Sequence, residues 1–137
     1  MSDPVCVVNP RGAKRLRGGH PWVWRQDIAR APEAASGAVV RITDVKNNPI
    51  GRAFWAQNSP VAVRLLTRGD EPFDDGVLRR RVRQAVERRR RMWPDADGYR
   101  AVHAEADLLP GLFVDRYGDG VGIQLLSEGA ERHKDVI

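Results

Sequence analysis

The sequence contains little cysteine and no long apolar run, and both shortages narrow the kinds of protein it can be. Cys6 is the single cysteine among 137 residues, which excludes an intramolecular disulfide and a cysteine-based zinc cluster. No apolar stretch approaches the roughly 18 residues that a membrane-spanning helix needs. The first residues lack the basic and apolar regions of a secretory signal. We therefore expect a cytoplasmic location.

Recognisable catalytic and cofactor motifs are also missing. The sequence has neither a GxxxxGK[ST] loop nor a GxGxxG motif between a strand and a helix. Cys6, Ser59 and Ser127 have no histidine and aspartate partners at a recognisable family spacing. We therefore predict no catalytic, cofactor-binding or metal-binding residue, and we expect this chain to be inactive on its own.

One polar cluster leaves an enzymatic alternative open. If residues 101–107 are extended, His103, Glu105 and Asp107 share one face of a strand, because side chains alternate with a period of two. Together with Asp115 they would form a carboxylate–histidine metal site. The same polar side chains also suit the solvent-facing side of a hairpin. A self-contained metal-dependent enzyme is thus an alternative interpretation.

Acidic residues are scarce in the first half of the chain. The net charge is +5, yet residues 1–69 hold eleven Lys and Arg against four acids, and residues 70–137 hold twelve against fourteen. The uncompensated positive field therefore belongs to the first half. Such an asymmetry is typical of a module that binds a polyanion.

The stretch from Arg15 to Asp27 combines cations, a glycine pair and two tryptophans. Pro21 favours an extended backbone before it, and in an extended segment Trp22 and Trp24 share one face while Val23 takes the other. Arginines beside aromatic rings suit a single-stranded nucleic acid, with guanidinium against phosphate and ring against base. The alternative is that the tryptophan pair fills a small core, with arginine stems lying over it.

The first half reads as a series of short strands. Residues 11–17 form a brief helix or a basic loop, and residues 28–36 form a connector. Gly51 indicates a bulge or a close contact inside its strand. Short strands broken by turn residues favour a small barrel or a curled sheet. The predicted strands are Val5–Val8, Gly37–Asp44, Pro49–Trp55 and Val61–Leu66.

The composition changes after residue 70. Apolar positions at helical spacing predict an amphipathic helix over Val77–Met92, which carries eight arginines. That run is a solvated face, an RNA-facing stripe or a contact for an acidic neighbour. The elements predicted after it are a strand at Tyr99–His103, a hairpin of Leu112–Tyr117 and Val121–Leu126, and a helix from Glu128 to Ile137. The fold class is therefore α+β and mainly β.

Three blocks of sequence resemble one family. They are LRGGHPWVW at Leu16–Trp24, GRAFWAQNSP with VRLL at Gly51–Pro60 and Val63–Leu66, and YRAVHAEAD followed by LPGLFVDRYGD at Tyr99–Asp107 and Leu109–Asp119. The chain is similar to S-adenosylmethionine-dependent methyltransferases that make 5-methylcytosine in 23S ribosomal RNA. These enzymes combine a PUA domain, a β-rich insert domain and a Rossmann-like methyltransferase domain.

The resemblance implies a domain division and a function. Residues 1–72 would be a PUA-like RNA-binding pseudobarrel, residues 73–94 an arginine-rich connecting helix, and residues 95–137 a partial β-rich insert domain. The methyltransferase domain that uses S-adenosylmethionine is not in this sequence, so the chain looks truncated. Its expected role is to position ribosomal RNA for that domain. Leu108 stands where the family usually has glycine, so the turn before Leu109 is expected to differ.

The positive first half and the resemblance together predict which residues contact RNA. Cations would bind phosphates, and the histidine and tryptophans would meet an unpaired base. An alternative is that the chain mediates protein contacts, as a homodimer or by docking to its own methyltransferase domain. The predicted RNA contacts are Arg11, Lys14, Arg15, Arg17, His20, Trp22, Trp24, Arg25, Arg52 and Arg64.

Overall fold

Residues 3–137 are described by a computed structural model, in which the chain divides after Phe73 into two units. The first unit is built on a six-stranded sheet, and the second, Asp74–Ile137, on a three-stranded sheet. The elements of the first unit are β1 Val5–Val8, α1 Pro10–Arg17, β2 Trp22–Trp24, β3 Ile28–Arg30, β4 Val39–Thr43, β5 Pro49–Trp55 and β6 Val61–Arg68.

The six strands curl into a nearly closed pseudobarrel. Their order in the sheet is β2-β6-β5-β4-β1-β3, so the two edge strands are consecutive in the sequence. A three-residue 3-10 turn, Arg25–Asp27, joins them. Strands β1 and β4 pair in parallel, and the other pairs are antiparallel. The expected mainly β, α+β fold with a PUA-like pseudobarrel is confirmed.

Side chains from several strands and from α1 form the core of the first unit. Val23 of β2 lies opposite Val63 of β6, which lies opposite Trp55 of β5. All three side chains are buried, together with Leu16 from α1. Burial raises the pKa of the Cys6 thiol to about 12, because the charged thiolate would lose its hydration. Cys6 is therefore a protonated core residue.

The basic segment after β1 forms a helix, which decides between the two predicted alternatives. Asn9 caps the helix, because its side-chain oxygen accepts the N–H of Gly12 at 2.8 Å. Pro10 occupies the first turn, where a missing N–H costs no hydrogen bond. The helix ends at Arg17 with Gly18 as its C-cap, and Gly19 follows with φ +102°, a conformation that glycine adopts without strain.

The predicted close contact at Gly51 is present between β5 and β6. A Cβ at this position would lie 1.9 Å from the carbonyl oxygen of Thr67. The register of the two strands also shifts between Arg52 and Ala53. A side chain at position 51 would therefore push the two strands apart.

The second unit packs a long helix against an antiparallel sheet of order β7-β8-β9. Asp74 caps the helix by accepting the N–H of Val77 at 2.9 Å, and Leu78 and Ala85 are buried on its apolar side. The last strand is exposed over nearly all of its length. The elements are α2 Asp75–Met92, β7 Gly98–His103, β8 Leu112–Tyr117, β9 Gly120–Leu125 and α3 Glu128–Arg132.

Three local expectations were wrong. The segment 28–36 contains strand β3, because Ile28 and Arg30 pair with β1. Helix α3 ends at Arg132 and not at Ile137. Residues 104–107 form a 3-10 turn and are not extended, so His103 and Asp107 do not alternate along one face of a strand.

Candidate nucleic-acid interface

The aromatic residues of the basic stretch form a row at the edge of the first sheet. Among the described residues 3–137, strand β2 pairs only with β6, so its other side lies at the edge of the sheet. The ring centroids of His20 and Trp22 lie 6.4 Å apart, and those of Trp22 and Trp24 lie 6.1 Å apart, both in edge-on geometry. We call these three residues the aromatic row.

Because side chains alternate along β2, Trp22 and Trp24 lie on the side of the strand that faces away from the core. Val23 is fully buried, whereas Trp22 and Trp24 are half-buried and His20 is exposed. The tryptophan that fills the core is Trp55, with 3% of its surface exposed. The interpretation of Trp22 and Trp24 as a core plug is therefore wrong.

Two hydrogen bonds donated by backbone N–H groups hold His20 in place at the start of the aromatic row. The N–H of His20 donates to the carbonyl oxygen of Arg15 at 3.0 Å, which ties the start of the row to the end of α1. The N–H of Trp22 donates to Nδ1 of the His20 ring at 3.1 Å. The imidazole is thereby held beside the first tryptophan.

Three cations lie on this side of the sheet or on the helix that leads to it. Arg64, the partner of Trp22 on β6, places its guanidinium carbon 4.8 Å from the centroid of the Trp22 ring. Lys14 and Arg15 are exposed on α1, and within residues 3–137 their side chains make no hydrogen bond or ion pair. These two charges are therefore available to a ligand.

Three other predicted contacts are arginines paired with acids of the same unit. Nη2 of Arg11 lies 2.6 Å from Oδ1 of the buried Asp27. Nη2 of Arg17 lies 3.0 Å from Oδ2 of Asp44. The third pair joins Arg52 to Asp3 at 3.1 Å. Their charges are partly neutralised, although Arg11 and Arg17 keep about half of their side-chain surface exposed.

The acids of two of these pairs stay ionised at neutral pH. Burial raises the pKa of Asp27, but hydrogen bonds from Arg11 and Asn9 outweigh it and leave this pKa below its usual value. Hydrogen bonds from Asn48, and then from Arg17, hold the pKa of Asp44 well below its usual range. Hydrogen bonds to the charged form of a carboxyl group favour that form.

Arg25 is held by backbone carbonyls of its own unit. Its Nε and Nη2 donate to the carbonyl oxygen of Ser59 at 3.1 and 2.9 Å, and Nη2 also contacts that of Ala56. Its guanidinium carbon lies 5.2 Å from the centroid of the Trp55 ring. This side chain fastens the loop between β5 and β6.

Two of the three carboxylates of the alternative metal site are bound by arginine. Asp107 accepts hydrogen bonds from Arg89 at 2.6 and 2.8 Å, and Asp115 accepts two from Arg100 at 2.8 and 3.1 Å. No group of three metal-ligating side chains with suitable placement occurs in the part of the chain that the structure describes. The structure therefore gives the metal-enzyme alternative no support.

The first unit is similar to a known domain family. Residues 7–68 match the model of the PUA-like domain family. A solved candidate SAM-dependent methyltransferase from Streptococcus mutans superposes on the whole chain with a TM-score of 0.83 at 16% identity, and the chain covers 36% of it. Residues 7–68 are thus similar in sequence to PUA-like domains.

Longer proteins, named as ribosomal RNA methyltransferases, resemble the whole chain. Ribosomal RNA large subunit methyltransferase I from Alteromonas mediterranea is 34% identical over 100% of this chain, and the protein of that name from Tolumonas auensis is 37% identical over 98%. The chain spans about a third of the length of these curated relatives (35% and 34%). A second solved candidate methyltransferase, of TM-score 0.82 and 17% identity, is complexed with SAH.

The described helices are unsuited to crossing a membrane. Within residues 3–137, no helix has both the length and the apolar character that crossing a bilayer requires. The longest helix, α2, is rich in arginine.

Proposed function

We propose that this chain is the RNA-binding region of a SAM-dependent methyltransferase that modifies cytosine at position 5 in 23S ribosomal RNA. In this proposal the PUA-like domain holds the RNA and positions it for a catalytic domain outside this sequence. S-adenosylmethionine binds that catalytic domain and not this chain. The similarity to ribosomal RNA large subunit methyltransferase I over the whole chain supports the choice of RNA.

The observation that carries the proposal is the aromatic row beside unpaired cations. Two half-buried indoles lie on an edge strand of the PUA-like domain, and an exposed imidazole lies just before that strand. Lys14 and Arg15 are exposed on the helix that leads into the row. Stacking rings next to free positive charge are the means by which proteins hold unpaired nucleotides.

The predicted contact residues take different parts in this proposal. Lys14 and Arg15 bind phosphates, and the aromatic row meets the bases. Arg64 stays against the Trp22 ring and presents its charge there. Among the paired cations, Arg11 and Arg17 also reach phosphates, while Arg25 and Arg52 shape the surface through their contacts with the loop after β5 and with Asp3.

The remaining parts of the sequence complete the proposal. Residues 1–72 are the RNA-binding domain, residues 73–94 a connecting helix, and residues 95–137 part of a β-rich insert domain. We place the protein in the cytoplasm, where ribosomal RNA lies. A homodimer is compatible with this function but is not required by it.

The proposal predicts salt-dependent RNA binding through the aromatic row. A structured ribosomal RNA fragment is titrated at about 50 and about 200 mM salt, with tryptophan fluorescence as the readout and duplex DNA as competitor. We expect quenching and a steep loss of affinity with salt, because phosphate contacts release counterions. Trp22→Ala should weaken binding by about 5- to 100-fold. Lys14→Ala with Arg15→Ala should flatten the salt slope by about 2.

Lys46→Ala provides the matched control, since Lys46 is an exposed cation in the turn after β4. Its affinity and salt slope should stay close to the parent values. RNA binding that ignores salt, or that DNA competes away completely, would contradict the proposal. Equal salt slopes for the Lys46 variant and the Lys14–Arg15 variant would mean that the RNA interface lies elsewhere on the protein.

A further inference from the structure

The second unit contains a cavity that the proposed function does not use. Its volume is about 390 Å³, and it lies between the end of α2 and strand β7. Ligand pockets in proteins commonly begin at about 300 Å³. The side chains that line it and carry polar or aromatic groups are Arg89, Trp93, Tyr99, Arg100 and His103.

Aromatic rings form one part of the wall. The centroids of the Trp93 and Tyr99 rings lie 6.3 Å apart, with an angle of 43° between their planes. Trp93 exposes 47% of its surface, an unusual fraction for the largest apolar side chain. Such an indole offers a planar ligand apolar area at little cost in side-chain entropy.

Two of the lining guanidinium groups are already held in place. Arg100 makes two hydrogen bonds to Asp115, and its guanidinium carbon lies 4.8 Å from the centroid of the Phe113 ring. Arg89 makes two hydrogen bonds to the buried Asp107. A ligand that meets these groups would not have to order them, which lowers the entropy cost of binding.

The hydroxyl end of Tyr99 lies in a positive environment. Arg116 donates to the Tyr99 hydroxyl at 3.3 Å, and this contact, with Arg90 beside the same oxygen, lowers the pKa of Tyr99. The acids that face this end are Asp97 and Asp119, which act on Arg116. The last turn of α2 adds the exposed cation Arg91.

We propose that this cavity binds one unpaired nucleotide of an RNA strand. The base would stack against Trp93 beside Tyr99, and its phosphate would meet Arg90 and Arg100. The proposal extends the proposed function to a second contact, built entirely from the second unit. Stacking on an indole tolerates every base, because each base has a π-face. The cavity would therefore add affinity without selecting a sequence.

The first test uses free nucleotides, so it does not depend on the RNA-binding proposal. The indole N–H signals of the four tryptophans are assigned with single Trp→Phe variants of the full chain and followed by NMR. Cytidine and adenosine 5′-monophosphates should shift the Trp93 signal in a saturable way and leave the Trp55 signal in place. Ribose 5-phosphate should not reproduce the shift. An equal shift with ribose 5-phosphate, or no shift with either nucleotide, would overturn the proposal.

The second test uses the ribosomal RNA fragment and side-chain truncation. Trp93→Ala should weaken RNA binding by about 5- to 100-fold, whereas Tyr99→Phe keeps the ring and should leave most of the affinity. Met92→Ala is the control, because Met92 is also well exposed (57%, against 47% for Trp93) and lies one residue away. If Trp93→Ala binds RNA as tightly as the parent while Trp22→Ala is impaired, the cavity proposal fails and the proposed function stands.

Discussion

Leu108 adopts a backbone conformation that is costly for a residue with a Cβ. Its φ is +60°, in the left-handed region, where it ends the 3-10 turn over residues 104–107. Its side chain is 59% exposed and so gains little from burial. For L-residues this region costs about 1–2 kcal/mol. The resemblance placed glycine at this position, and the backbone found here is one that glycine adopts freely.

We predict that Leu108→Gly stabilises the second unit. Relief of the left-handed strain should outweigh the entropy that glycine adds to the unfolded chain, for a net gain of about 0.5–1 kcal/mol. Urea unfolding followed by circular dichroism measures the difference. Ala106→Gly is the matched control: it lies in the same turn, is exposed, and has no positive φ. It should destabilise by about 0.5–1 kcal/mol; the same sign for both variants would refute the strain argument.

At the residue scale the sequence predicted the candidate site only in part. The alternation around Val23 was enough to place Trp22 and Trp24 on one face. The acids that pair with Arg11, Arg17 and Arg52 lie 16, 27 and 49 residues away in the chain. Only the fold brings them together. No local pattern could therefore separate these arginines from Lys14 and Arg15.

At the scale of elements, local patterning located best the strands that have a clear apolar run between turn residues. The bounds predicted for β1, β5 and β8 agree with the structure, since each has a clear run of β-branched or apolar residues ended by turn residues. Strand β3 was missed because Ile-Ala-Arg carries no such pattern and exists through pairing with β1. Tertiary pairing thus overrides weak local propensity.

The 3-10 turn after β7 is explained by Asp107. Its carboxylate accepts the N–H of His103 at 2.6 Å and is bound by Arg89 of α2. The chain must fold back to make both contacts, so it cannot continue as a strand. Burial raises the pKa of Asp107, but the hydrogen bonds from Arg89 and His103 outweigh burial and hold this pKa below its ordinary value.

We predict that Asp107→Asn destabilises the second unit by about 3–5 kcal/mol at pH 7. The substitution removes the carboxylate charge that pairs with the largely buried guanidinium of Arg89. A lowered folded-state pKa means that this stabilisation is fully present above the ordinary value of about 3.9 and is lost as pH falls through the folded-state pKa. Thermal unfolding at pH 7 and pH 3 should show the gap between parent and variant shrinking in acid.

Asp115→Asn provides the control for this prediction. The Asp115–Arg100 pair lies nearer the surface, with 21% and 43% of the two side chains exposed. Solvent screening limits such pairs to about 0–1 kcal/mol. A constant gap for Asp107→Asn across the pH range, or an equal loss for both variants, would contradict the assignment.

At the scale of the whole molecule, charge and exposed apolar surface are unevenly distributed. The first half of the sequence carries the excess of positive charge, whereas an exposed strand edge belongs to the second unit. Strand β9 pairs only with β8 within residues 3–137. Val121 and Ile123 on one face of β9 are 61% and 53% exposed. Open apolar edges of this kind pair readily with other chains.

We predict that the chain self-associates through β9 at high concentration. Ile123→Lys should shift light scattering toward the monomer, because a charge on an edge strand opposes edge-to-edge pairing. Val45→Lys is the control: Val45 is equally exposed (57%) but lies in a turn. Equal effects of the two variants would mean that added charge alone, and not the strand edge, limits association.

The single cysteine, Cys6, lies in the core and can report how often the first unit opens. Its thiol is fully buried and, with a pKa of about 12, remains protonated in the folded domain. A thiol reagent can modify it only during moments when the first unit opens, since the thiolate is the reactive form. The rate of labelling therefore measures how often the first unit opens, without an engineered probe. If bound RNA slows the labelling of Cys6, the decrease in rate would measure how strongly the ligand stabilises the closed form of this unit.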